Sequence, residues 1–250
     1  MELKTSGIVL KKQNFGEADR ILRIFSQELG IISAIAKGVK KITSKKGGCL
    51  ELFCESNLRL YRRKGELFLI TDAATKKNFE SKDLEVLKTA YAANELLLNI
   101  APPEKELPKI YKIFADFLAL LPTAKKLQLL KIAFFAKTLN IFGFLEDSAS
   151  MPERERKFFK FILHSDFTEI LKLAADPEIF RAAENKLAEI LENVSEKISK
   201  VSAATQGWSG RNIKYGDIIL ILNSFEGINF KLQTTTFENL LSLTKVLALF

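Results

Sequence analysis

A chain of 250 residues, 47% apolar and 27% charged, has the composition of one large or two modest folded domains, which argues against disorder. No apolar run approaches the roughly 18–20 residues that span a bilayer, and the longest candidate, IAFFAKTLNIFGFL, is interrupted by Lys137. The formal net charge of +8 is lopsided: residues 1–80 hold 16 Lys and Arg against 9 Asp and Glu, whereas residues 81–250 hold 22 against 21.

That asymmetry points to a polyanion partner for the first third of the chain, nucleic acid being the first candidate. A basic surface kept for solubility is the other reading. The opening MELKTSGIVLKK lacks the apolar stretch of a signal peptide, so a cytoplasmic chain with no membrane partner is expected. Cys49 and Cys54 suit a reducing compartment, as packed thiols rather than a disulfide.

In chain order, TSGIVLKK and RILRIFS read as strands. GIISAIAKG is a third, opened by Gly30 and closed by Gly38. VKKITSKKGG follows as a loop too rich in Lys and Gly for a core. NLRLYRRKGELFLIT reads as a hairpin with Lys64-Gly65 at its turn. In its first arm Leu58 and Leu60 face one way, and Arg59, Tyr61 and Arg63 the other. Five short strands in about 70 residues, with no helix long enough to cross over, predict a small closed barrel of the OB type. Cations interleaved with an aromatic suit a single-strand groove, the cations tracking phosphates and the ring stacking on a base. Tyr61 could equally just cover a barrel end.

Beyond residue 75 the period becomes helical. SKDLEVLKTAYAANELLLNI predicts a helix capped by Ser81 and ended by Pro102-Pro103. KELPKIYKIFADFLALL predicts a second, with Ile110, Phe114, Phe117 and Leu121 on one stripe. TAKKLQLLKIAFFAKTLNIFGF predicts a third, capped by Thr123 and ending near Gly143. Weaker helical patterns cover 152–163 and 177–203. The fold class is therefore α+β and multidomain: an OB barrel over 1–78, a helical domain over 79–205, and an unassigned extension over 206–250.

Catalysis is not expected. GVKKITSKKGG lacks the spacing of a Walker phosphate loop, and His164, the single histidine, has no evident nucleophile beside it. Glu17 and Asp19 imitate half of a metal site, but such a pair in a strand turn more often satisfies backbone donors.

GIVL, FGEADRILRIFSQELGIISAIAKGVKK and GGCLELFCESNLRLYRRKGELFLIT together resemble the N-terminal domain of the RecO family of bacterial recombination mediators. The resemblance lies in Gly16, Glu17 and Asp19, in Ala36 to Lys41, and in the apolar-basic hairpin after Gly-Gly. YAANELLLNIAPPEKELPKIYKIFADFLALL and LLKIAFFAKTLNIFGFLED are more loosely similar to its helical region. The resemblance implies a non-catalytic protein that binds single- and double-stranded DNA, anneals complementary strands, pairs with RecR, contacts the tail of single-strand binding protein and assists RecA loading. An RNA- or ribosome-associated OB-fold protein is the alternative, since the fold does not distinguish the two.

The chain departs from the family at two places. Many members carry a four-cysteine zinc site where this chain reads FLEDSASMPERERKFF, so no zinc and no other cofactor is expected. Residues 206–250 match nothing in the family and read as an extension that packs on the helical domain or on a second subunit.

The candidate DNA-binding residues are Lys37, Lys40, Lys41, Lys45 and Lys46 along the loop, with Arg59, Tyr61 and Arg63 on the strand face. The candidate seat for the acidic, apolar tail is helix 125–143, where Lys131 and Lys137 stand beside Phe135.

Overall fold

The computed structural model describes residues 2–62, 65, 67–100, 106–145, 151–174 and 176–204, with side chains as far as Val194. Alternation drives the first half. β1 (Glu2–Phe15), β2 (Asp19–Ser26), β3 (Gly30–Ala36), β4 (Glu55–Arg62) and β5 (Leu67–Lys77) close into a barrel in the order β1-β2-β3-β5-β4. β3 and β5 run parallel, from Ser33 opposite Leu67 to Ile35 opposite Leu69, and the other pairs are antiparallel. This is the expected OB barrel.

Its interior is filled by Val9, Leu22, Ile24, Ile32, Ala34, Leu58, Leu60 and Ile70. A Cβ on Gly7 would lie 2.6 Å from Ile24 and 2.8 Å from Leu58, so β1 can approach both neighbours only because that position is glycine. β1 is longer than the predicted TSGIVLKK because it serves two partners. Its first half pairs with β4 and its second with β2, and a bulge between Val9 and Lys11 turns it from one to the other. Of the predicted hairpin turn, Gly65 is described, at φ +100°, and Lys64 lies outside the described residues.

Six helices follow among the described residues: α1 (Leu84–Asn99), α2 (Leu107–Leu120), α3 (Leu127–Ile141), α4 (Glu153–His164), α5 (Phe167–Ile170) and α6 (Pro177–Ala204). Two predicted caps are corrected. Asp83, not Ser81, caps α1, accepting from the amides of Glu85 at 2.8 Å and Val86 at 3.4 Å; Ser81 instead accepts from the Asp83 amide. Thr123 does not cap α3. Its hydroxyl donates back to the Leu120 carbonyl, and α3 begins after Lys126 with no side-chain cap. Pro102 and Pro103 lie outside the described residues, as does 206–250. The stripe of Ile110, Phe114, Phe117 and Leu121 is fully buried, as predicted.

Barrel and helices share one core. Ile8, Leu10, Phe25 and Phe53 on the back of the barrel join the cluster built by α1, α2 and α3. Phe25 meets Tyr111 edge-on at 5.5 Å. Polar ties lock the same seam: Asn94 donates to the Leu10 carbonyl at 3.0 Å, and the Tyr111 hydroxyl donates to the Glu55 carboxylate at 3.0 Å, which Lys76 also reaches at 2.8 Å. Phe53 is held at φ +63°, a left-handed conformation costing roughly 1–2 kcal/mol in a bulky residue. Its ring packs edge-on against both Phe79 and Tyr91, and that burial offsets the strain. The barrel thus presents its other faces to solvent.

Candidate nucleic-acid interface

The loop after β3 is built on a fixed base. Gly38 turns it at φ +66°. The Asp19 carboxylate, from the start of β2, accepts the Gly38 amide at 2.7 Å, and the Lys40 amide donates to the Ala18 carbonyl at 3.0 Å. Between these two points Val39 inserts into the barrel core. From there the chain winds in a series of turns: the amides of Lys41, Ser44, Gly47 and Leu50 each bond the carbonyl three residues back. The segment was expected to stay clear of the core, yet Val39 belongs to it. Asp19 satisfies a backbone donor, as its place in a turn suggested.

Lys37, Lys40, Lys41 and Lys45 project from this base into solvent. Lys46 folds back, its ammonium donating to the Ile70 carbonyl at 3.3 Å. Ile70 pairs with Leu60, which lies between Arg59 and Tyr61 on β4. The loop therefore reaches the β4–β5 ladder at the level of those two residues. Asn57, Arg59 and Tyr61 are exposed while Leu58 and Leu60 are buried, the alternation read from the sequence. Tyr61 is 48% exposed, so about half of its surface is open to solvent. The Arg59 Nε lies 3.8 Å from Asp72, both side chains over half exposed. Arg63 lies outside the described residues.

Register extends the surface beyond these residues. Tyr61 is opposite Leu69, Leu69 opposite Ile35, and Ile35 opposite Ile21, which places an apolar row across the outer face of β4, β5, β3 and β2, open to solvent at Tyr61 and in part at Leu69 and Ile21 but buried at Ile35. Beside it a second row runs Leu67, Ser33, Arg23, Lys11. Arg62, exposed at the end of β4, carries its guanidinium 6.0 Å from the centre of the Phe68 ring. Lys11, Arg23 and Arg62 escaped the sequence reading. In RILRIFS the signal was available: once Leu22 and Ile24 face inward, Arg23 must face out. Two further cations are already engaged, because Glu51 accepts from Lys12 and from Arg20 at 3.0 Å. Burial pushes the Glu51 carboxyl up, but these partners outweigh it and hold it below the usual carboxylate value.

Cations ringing an apolar and aromatic strip can track a phosphate backbone while offering its bases a surface to stack on. In OB barrels generally that work falls to the outer face of the second and third strands and the adjoining loops.

The predicted partner seat on α3 is corrected. Phe135 is fully buried, and Phe134 and Leu139 with it, because α3 is apolar all round and packs against every other helix of the domain. Lys131 is 5% exposed and pairs at 2.9 Å with Glu184 of α6, itself 2% exposed, while Gln128 donates to the other carboxylate oxygen. The Lys137 ammonium donates to the carbonyls of Leu163 at 3.2 Å and Ser165 at 2.7 Å, tying α3 to the end of α4. Burial lowers its pKa below the ordinary lysine value. Lys131 and Phe135 are buried and Lys137 is tied to α4, so these residues brace the domain rather than line an open groove.

Cys49 and Cys54 are free thiols. The His164 ring lies 2.7 Å from the Lys160 carbonyl one turn back. Among the described residues no three His, Cys, Asp or Glu side chains are grouped to hold a metal, and no helix is long and apolar enough to cross a membrane.

Residues 1–79, the barrel and its exit, match the family model for the N-terminal domain of recombination protein O. Over residues 1–79 the chain is therefore similar to the N-terminal domain of the RecO family. Similar proteins include DNA repair protein RecO of Dehalococcoides mccartyi strain 195, 32% identical over 145 residues, which are 57% of this chain and 57% of that protein. The RecO protein of Dehalococcoides mccartyi strain BAV1 is 36% identical over 119 residues, 47% of each chain. That of Clostridium perfringens is 33% identical over 145 residues, 57% of this chain and 58% of the relative. The chain thus spans about half the length of the curated relatives it matches.

Proposed function

We propose that this protein is a non-catalytic, DNA-binding recombination mediator: it binds single- and double-stranded DNA through the barrel and brings complementary strands together without ATP. The observation that carries the reading is a rigidly based lysine loop adjoining an exposed Tyr61 and an apolar strip, on a barrel that matches the RecO N-terminal domain. The relatives are DNA repair proteins by name, which favours DNA over RNA as the polyanion.

Annealing is slow chiefly because two polyanions repel. A surface that neutralises phosphates on both strands lowers that barrier, and a stacking platform keeps bases unpaired and accessible. Such help is stoichiometric and fades as salt rises. Lys37, Lys40, Lys41, Lys45 and Lys46 take phosphates in this scheme, joined by Arg59 and, from the sequence pattern, by Arg63. Tyr61 takes a base. RecR, the tail of single-strand binding protein and RecA loading complete the reading, with no surface assigned to any of them.

Complementary fluorescent oligonucleotides, mixed with the full chain over a salt series with and without ATP, test the mechanism. The expected result is acceleration that needs no ATP, scales with protein bound per strand and falls with salt. Acceleration only with ATP, or indifferent to salt, overturns it.

A further inference from the structure

Asp19 sits where a charge argument and a geometric argument make opposite predictions. It is an anion beside a basic loop, so on electrostatic grounds alone it opposes a polyanion. Yet its carboxylate accepts the amide of Gly38, immediately between Lys37 and the Val39 that anchors the loop in the barrel. The neighbouring Lys40 amide is fixed on Ala18, next to Asp19 in the same turn. Asp19 is therefore one of the fixings of the base from which Lys37, Lys40 and Lys41 project.

We propose that Asp19 is a positioning residue for nucleic-acid binding: it latches the turn between β1 and β2 to the base of the lysine loop and holds those cations in a binding-ready arrangement. The latch rests on the DNA-binding reading above and adds to it an acidic residue whose removal weakens the grip on an anion. Its physical basis is preorganisation. Long lysine side chains on a loose base must be ordered at the moment of binding, and that cost is subtracted from affinity.

Three variants separate charge from geometry in the full chain. Asp19→Asn removes the charge and keeps an acceptor oxygen. Asp19→Glu keeps the charge and displaces the acceptor by one methylene. Asp19→Ala removes both. Affinity for a fluorescent oligothymidylate is measured at fixed salt, hydrogen exchange at the Gly38 amide is read in parallel, and circular dichroism verifies each fold. Asp19→Ala and Asp19→Glu are expected to bind about two- to tenfold more weakly, the loss that one hydrogen bond supports. Their Gly38 amides should exchange faster than in the wild type. Asp19→Asn should bind as tightly as the wild type or more so, with Gly38 still protected. If Asp19→Ala fails to fold, the Glu and Asn variants alone decide.

Equal or tighter binding by both Asp19→Ala and Asp19→Glu, or a Gly38 amide that stays protected in them, overturns the latch and leaves the DNA reading standing. A wild-type protein that does not bind the oligonucleotide overturns the DNA reading, and the role of Asp19 with it.

Discussion

Two groups of lysines in this chain look alike in sequence and are opposites in the structure. Lys37, Lys40, Lys41 and Lys45 stand in solvent on a braced loop, their charges available to whatever approaches. Lys131 is buried inside the helical domain against Glu184, and Lys137, partly buried, is tied to two carbonyls at the end of α4. The first group does little for stability and, in the proposed reading, serves recognition. The second does the reverse. A lysine's role is set by whether its neighbours have already satisfied it.

The sharpest way to break this contrast is at Lys131. Lys131→Ala leaves the buried Glu184 without its cation, which costs about 3–5 kcal/mol. Chemical denaturation should show that loss, while replacing the pair together by Met and Leu should restore most of it. Affinity for DNA at a temperature where the variant is folded should be unchanged. A variant as stable as the wild type would remove the contrast.

Next in size is the loop. Replacing Lys37, Lys40 and Lys41 together by Ala should lower the slope of log affinity against log salt by about 2 for single strands. Stability should move by no more than about 0.5 kcal/mol. An unchanged slope would return the loop to the role of a solubilising surface.

A third test probes the seam between barrel and helices. Tyr111→Phe leaves Glu55 one donor short and should cost about 1–2 kcal/mol. Burial, reinforced by the Glu55 carboxylate, raises the Tyr111 pKa well above that of an exposed phenol. Folding therefore favours the protonated ring, and its contribution is intact below about pH 10, the unfolded value, and lost as pH rises beyond it. The phenylalanine variant should show a shallower decline on the alkaline side in denaturation series from pH 9 to 11.

The smallest effect belongs to the exposed pair. Asp72→Asn frees Arg59 from an ion pair worth under about 0.5 kcal/mol. It should leave stability nearly unchanged and tighten oligonucleotide binding about twofold. Weaker binding would mean that Asp72 orients Arg59 rather than competing for it.

Much of the barrel was legible because alternation is a local signal: Leu58 and Leu60 inward, with Arg59 and Tyr61 outward, follow from the pleat alone. Helix positions were legible for the same reason, and the fully buried stripe of α2 came straight from its spacing. Caps were less so. Ser81 and Asp83 are both good capping residues two positions apart, and only the backbone decides which one faces the first amides. α3 misled because a helix with few polar residues gives no face to read, so its two lysines looked like the rim of a groove. Their actual partners, Glu184 and the carbonyls at 163 and 165, arrive from far along the chain. Asp19 and Gly38 are likewise 19 residues apart and meet only through the barrel's register.

The shared core of barrel and helices bears on modularity. Ile8, Leu10, Phe25 and Phe53 lie on the outside of the barrel and are dry only because the helices cover them. Cut at the sequence boundary near residue 78, the barrel would present that greasy back to water and invite self-association, so it is poorly suited to life as a transplantable cassette. In calorimetry the parent chain should melt in one transition rather than two, the loop-bearing face of the barrel surviving no longer than the scaffold behind it.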